Sequence, residues 1–251
     1  MADHLHPIAS TFFFADHLAL DESPTRDFYK SMMQGLIHKN NNVLGVVQGF
    51  SSLVLMDDDV PEGIRENVEQ MRNAAQNGTD LSRIILTAAG CARVSPDRAN
   101  LGDLLPHLER SARSLAEKLG VPLEFHARAT LPPILADTSK LNELFNELVK
   151  NAVESAATIP GGEVVIDVLP PGATGPSPDP RVDILIRNSS AELSEDKIRD
   201  AFVPFHGNKG NNHFGLGLTT AGILAGQMKM RLGLRHHEGT TTAWLRISVA
   251  S

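Results

Sequence analysis

At 251 residues, 41% of them hydrophobic, the chain is long enough to bury a real core as one large domain or two small ones. A formal charge of −7 speaks against nonspecific nucleic-acid binding, and one cysteine, Cys91, excludes an internal disulfide framework or a cysteine-rich zinc site. No apolar run approaches the roughly 18 residues needed to cross a bilayer, and no basic segment precedes the first apolar triplet. The expectation is a soluble cytoplasmic protein with no membrane span and no nucleic acid, whose partners are proteins or nucleotides.

Residues 1–23, with phenylalanines at 12 to 14, show no sustained period and are read as an arm able to pack against the body. Ser23 is an N-cap candidate with Pro24 in the first helical position. Apolar residues then recur at Phe28, Met32, Leu36, Val43, Val46 or Val47, Phe50 and Leu53, which is helical spacing with one polar break. After the turn DDDVP at 57–61, Ile64, Val68, Met71, Ala75, Gly78, Leu81, Ile85 and Ala88 keep steps of three or four. Two long helices joined by a short turn make an antiparallel hairpin. One apolar stripe per helix cannot be buried by the hairpin alone, so a homodimeric four-helix bundle is expected.

After Gly90 the texture changes. A polar stretch leads to a helix ending at Gly120, a strand in VPLEFHA, a helix over 138–157 and a strand in GGEVVIDVLP. A proline and glycine loop at 169–180 precedes the strand VDILIRN, the helix SEDKIRDAF and a glycine-bearing loop. A helix near 218–228 and two closing strands, MRLGLRH and TTTAWLRISV, finish the chain. This order predicts an α+β fold with helices on one face of a mixed sheet. Trp244 alternates within the last strand and is read as core. His236 and His237, near the final hairpin, share no metal-ligand spacing with His213 and are read as exposed turn residues.

Chemistry-bearing residues gather in three places. Glu147 and Asn151 lie one helical turn apart, a carboxylate and an amide on one face, and an amide oxygen suits magnesium. Lys209 stands beside glycines at 210, 215 and 217, where the backbone can approach phosphates closely. His38 and Asn42 also lie one turn apart, on the first long helix. Together the three point to phosphoryl transfer through histidine.

These stretches resemble the core of a two-component sensor histidine kinase, a resemblance covering nearly all of the chain except the arm. GLIHKNNNVLGVVQGFSSLVL is similar to the family's H box, ELVKNAVESA to its N box, AFVPFHGNK to its F box and HFGLGLTTA to its G2 box. The resemblance implies a dimerisation and histidine-phosphotransfer hairpin at 24–91 and a GHKL-type α/β-sandwich ATP-binding domain at 97–249. It implies that His38 takes the γ-phosphoryl group of ATP and that Asn42 orients water for dephosphorylating a regulator. It further implies that Asn151 holds Mg2+ beside Glu147, and that Lys209, Gly215, Gly217 and Leu218 close on the phosphates. The partner it implies is a response regulator receiver domain.

The pattern departs from the family in two places. The G1 box, which normally carries an adenine-binding aspartate followed by glycines, here offers Asn188, with Ser190 and Glu192 at the glycine positions. Asn188 can accept a hydrogen bond but lacks a carboxylate's charge. Lys39 stands after His38, where an acidic residue usually takes the histidine proton. The expectation is therefore a kinase with weak autokinase activity. The rivals are a phosphotransfer protein or pseudokinase scaffold that docks a regulator without ATP, and a nucleotide-binding switch whose His38 is idle.

Overall fold

The computed structural model describes residues 11–14, 24–127, 130–174, 180–206 and 215–250. In chain order its elements are β1 (Phe12–Phe13), α1 (Pro24–Leu55), α2 (Glu62–Ala88), β2 (Asp97–Ala99), α3 (Leu101–Leu119), β3 (Leu123–Ala127) and β4 (Ile134–Ala136). They continue with α4 (Thr138–Ala156), β5 (Val164–Leu169), β6 (Arg181–Ser189), α5 (Glu195–Asp200), α6 (Gly217–Gln227), β7 (Arg231–His237) and β8 (Thr240–Ser248). The chain divides into two compact units, Asp21–Ala92 and the remainder, the second of which includes the N-terminal twenty residues. Among the described residues no helix is long and apolar enough to cross a membrane.

The hairpin unit pairs α1 with α2 through an unusually polar seam. Asn40 Nδ2 donates to Ser82 Oγ at 3.1 Å, and Gln48 Nε2 reaches Gln76 Oε1 and Thr79 Oγ1. Gly78 lets the helices approach closely, since a Cβ there would lie 3.0 Å from Leu44 Cδ1. Arg65 fastens the turn by donating to the carbonyls of Leu55 and Asp57. Ser23, the expected N-cap of α1, lies outside the described residues.

The second unit is a six-stranded sheet in the order β1-β7-β8-β6-β5-β3, with β3 and β5 parallel and every other pair antiparallel. A small antiparallel pair, β2 with β4, stands beside it. The helix α4 anchors the core because Leu141, Leu144, Phe145, Leu148, Val149, Ala152, Val153 and Ala156 are all buried. Its start is fixed by Asp137, which accepts from Lys140 N, as α3 is capped by Asn100 at its start and by left-handed Gly120 at its end. On the opposite face of the sheet Trp244, 2% exposed, packs with Leu169, Leu185 and Phe13, so its reading as core holds. The mixed sheet and its helices match the α+β expectation.

Three elements differ from the sequence reading, one of them β4, the partner strand of β2. The arm, which shows no period, supplies Phe12 and Phe13 as an edge strand on β7, and its short length explains why no alternation betrays it. The polar stretch before α3 contains β2, a strand of three residues.

Candidate functional site

Three of the expected residues meet at the junction of α4 and α6. Glu147 and Asn151 stand one turn apart on the half-buried flank of α4, and Gly217 opens α6 directly against them. A Cβ at Gly217 would lie 2.7 Å from Glu147 Oε2 and 3.4 Å from Asn151 Nδ2. Only glycine keeps the carboxylate and the helix N-terminus this close. The first turn of α6 then shares one small space with a carboxylate and an amide.

Asn151 Nδ2 is buried and makes no hydrogen bond. Leaving such a donor unpaired costs about 1–3 kcal/mol, which marks the spot as one shaped for something other than packing. The donor as it stands suits a phosphate oxygen, and turning the amide by half a revolution presents its oxygen to a hard cation. The chemistry of this donor set is compatible with a magnesium-bound triphosphate.

The approach to this junction is built from backbone. Phe205 N donates to Gly215 O at 2.9 Å, Thr219 Oγ1 donates to Phe202 O at 2.9 Å, and Thr220 N donates to Leu216 O at 2.8 Å. Gly215 has φ of +62° and its Cα faces the Phe205 backbone, where a Cβ would come to 3.0 Å. Phe205 itself takes φ of 63°. The chain thus leaves at Phe205 and returns at Gly215 through one closed collar, with Leu218 half-buried in the first turn of α6. Lys209, expected beside the phosphates, lies outside the described residues, as does His213.

Asn188 ends β6, the strand on which α4 packs, and is 5% exposed. Its Nδ2 donates to Ser189 O at 2.8 Å. The polar residues at the glycine positions are tied down. Ser190 Oγ bonds Thr241 Oγ1 at 2.8 Å and His236 Nδ1 at 3.2 Å, while its N–H donates to Gly239 O. Glu192 turns away from Asn188, pairing with His236 Nε2 at 3.0 Å and accepting from Gly239 N at 3.1 Å.

His236 corrects the sequence reading. Its side chain is 3% exposed, not a solvated turn residue, because the tight turn at Glu238 and Gly239 carries it back opposite Thr241. The sequence reading missed its structural role as the buried partner of Ser190 and Glu192. Replacing His236 with alanine removes its hydrogen bonds to Ser190 and Glu192, in the segment after Asn188, and to Thr241 on β8. The expected result in a denaturant titration is a loss of about 1–3 kcal/mol, with the fold retained.

His38 and Asn42 belong to the hairpin unit, where both side chains are exposed on α1, one turn apart. Their neighbour Ile37 is buried, so the pair flanks the packed seam without joining it. Burial raises the pKa of the Cys91 thiol, against the lowering pull of Lys30 and Arg26. Among the described residues no group of three His, Cys, Asp or Glu could by itself hold a metal ion.

Residues 136–251 match the family of histidine kinase-, DNA gyrase B- and HSP90-like ATPases. The chain therefore carries an ATPase domain of this family, and its curated relatives together with the shared fold support a sensor histidine kinase core. Among curated relatives it is 23% identical over 219 residues to the sensor histidine kinase ZraS of Salmonella typhi, covering 85% of this chain and 44% of that protein. The cell-division control histidine kinase PdhS of Brucella canis is 23% identical over 175 residues, covering 67% of this chain and 16% of the relative. The chain thus spans less than half the length of these relatives.

Among solved structures, full-length ShkA in complex with AMPPNP shares the fold at a TM-score of 0.71 and 20% identity, over 88% of this chain and 46% of that one. The Acinetobacter baumannii histidine kinase AdeS does so at 0.54 and 13% identity, over 84% and 97%.

Proposed function

We propose that this chain is a cytoplasmic protein-histidine kinase. Its catalytic domain at 97–249 binds ATP with magnesium, transfers the γ-phosphoryl group to His38 on the 24–91 hairpin, and thereby charges an aspartate of a response regulator receiver domain. The observation that carries this reading is the contact of Gly217 with Glu147 and Asn151, which gathers the N box and the G2 box around one buried, unpaired amide. Magnesium, when bound, neutralises phosphate charge. The cytoplasm is where ATP and receiver domains meet.

The residues divide the work. Asn188 offers its amide oxygen to the adenine amino group, and Asn151 with Glu147 positions the triphosphate end. The first turn of α6, at Gly217 and Leu218, presents N–H groups to phosphate oxygens, with Gly215 setting the approach and Lys209 adding positive charge. A neutral His38 ring nitrogen attacks the γ-phosphorus, an N–P bond forms, and the bond to the β-phosphate oxygen breaks as ADP departs. The remaining ring proton passes to solvent, since Lys39 cannot accept it. The receiver aspartate then attacks the phosphorus and frees the imidazole, while Asn42 orients water for the separate hydrolysis that releases phosphate from that aspartate.

Calorimetry with ATP and magnesium tests the first claim. Specific heat of binding is expected. A silent titration would favour the scaffold reading, which one observation supports: Asn188, Ser190 and Glu192 replace a carboxylate and two glycines, and the latter two are locked to the β7–β8 hairpin.

The hairpin is proposed to be a homodimer. On α1, Phe28, Met32, Leu36, Val43, Val46, Phe50 and Leu53 are exposed, Val43 at 64% and Phe50 at 67%. From Met32 onward the spacing alternates four and three, with Lys39 in the one polar slot, which is the repeat of a packed helical seam. A second copy covers such a stripe most economically. Phe50→Asp is expected to weaken the dimer at least about a hundredfold, because it desolvates a charge inside the seam. Sedimentation velocity showing equal dimer in wild type and variant would refute the assignment.

A further inference from the structure

The outer edge of β7 is cut to receive an aromatic strand. The rest of the sheet would end at β7, leaving its outer N–H and C=O groups unpaired, but β1 covers them with Phe12 opposite Leu234 and Phe13 opposite Gly233. Among the described residues two pair with β7, and the phenylalanine side chains add to that grip.

Two glycines make room for those side chains. At Gly233 a Cβ would lie 2.8 Å from Thr11 Cγ2 and 2.9 Å from Phe13 Cδ1, and at Gly222 of α6 it would lie 2.6 Å from Phe14 Cδ1. The strand's alternation divides the rings between the two faces of the sheet. Phe13 crosses the gap above Gly233 to Trp244, with ring centroids 5.9 Å apart, beneath the Arg231 guanidinium at 4.2 Å. Phe12 and Phe14 close on Phe202 from the other face, at 5.8 and 5.2 Å. Phe14 is 3% exposed.

We propose that the β7 edge, with its notches at Gly222 and Gly233, is a docking site for an extended Phe-x-Phe strand, occupied by the chain's own Thr11–Phe14. The docked strand braces the catalytic junction. Phe202 holds α6 through the Thr219 hydroxyl, and α6 carries Gly217 against Glu147 and Asn151. The segment before the hairpin therefore sets the order of the helix that faces the phosphates, a consequence that rests on the ATP reading above.

Hydrogen exchange on the full-length protein decides this. In Phe12→Ser/Phe14→Ser the β7 amides facing the strand are expected to lose protection about tenfold, while β5 and β6 stay unchanged, as for a local opening. A peptide with the sequence of residues 10–16, added in excess, is expected to restore that protection. In Gly222→Leu the notch is filled, so the same loss is expected without rescue by the peptide. Phe13→Ala, which removes only the ring over Trp244, supplies a milder variant with the same expected direction.

Unchanged β7 protection in these variants would overturn the proposal, as would an equal loss across β5 and β6. Wild-type β7 protection that falls on dilution would mean a strand donated by a second copy, which also overturns it. Nucleotide titration of the same samples separates the two readings. A wild type that binds no ATP defeats the kinase assignment, while the β7 exchange still decides the docking site.

Discussion

Incubated with γ-labelled ATP and magnesium, the protein is expected to gain an acid-labile, base-stable phosphate, and His38→Gln is expected to lose it to background, a fall of at least about a thousandfold. Glutamine keeps the length and polarity of an exposed position on α1 but offers no ring nitrogen lone pair, so the helix survives and the chemistry does not. The wild-type rate itself is expected to be low. General-base assistance is worth roughly 10²–10⁴ in rate, and Lys39, adjacent to His38 and exposed, cannot supply it. Lys39→Glu is therefore expected to raise the initial rate of incorporation without changing nucleotide affinity. Undiminished labelling of H38Q would place the phosphate elsewhere and end the assignment.

The long helices and the sheet were readable because their signals are long. The three-and-four spacing along α1 and α2 survives over many turns, and the alternation in β6 and β8 is backed by burial on both faces. What periodicity could not say is which partner a stripe meets. The side of α1 that faces α2 carries Asn40 and Gln48 bonded to Ser82, Gln76 and Thr79, while the apolar row from Phe28 to Leu53 points to solvent. A spacing pattern records that a face is apolar, not what covers it.

The candidate site was readable in a different way. Glu147 and Asn151 follow from helical geometry alone, but their contact with Gly217 joins residues some seventy positions apart, a distance that only the packing of α4 on α6 closes. His236 was missed although a signal for it existed. The two-residue turn Glu238–Gly239 fixes His237 opposite Thr240 and hence His236 opposite Thr241, and Ser190 and Glu192, standing where glycines were expected, needed partners. Phe12 and Phe13 left no such trace. Two residues are too few for a period, and the room made for Phe13 at Gly233 and for the adjoining Phe14 at Gly222 is recognisable only by the space those glycines leave.

Gly217→Val is expected to abolish tight nucleotide binding while leaving a folded protein. The Cβ would sit 2.7 Å from Glu147 Oε2, inside van der Waals contact, so the carboxylate must swing aside, and the branched methyls would cover the space beside Asn151 Nδ2. Crowding of this kind costs about 1–3 kcal/mol of stability, which a domain whose α4 buries eight residues in the core can absorb. The ligand fares worse. It loses both the open N-terminus of α6 and the placement of Glu147, and an affinity drop of about a hundredfold corresponds to ~2.7 kcal/mol. Gly35→Ala is the matched control, because nothing lies within 4 Å of a Cβ at Gly35, on the hairpin. It is expected to leave nucleotide affinity unchanged. Calorimetric titration of the three proteins with ATP and magnesium reads the difference directly: equal affinity in G217V and wild type would mean that the phosphates sit elsewhere, and that Gly217 serves only the packing of α6 on α4.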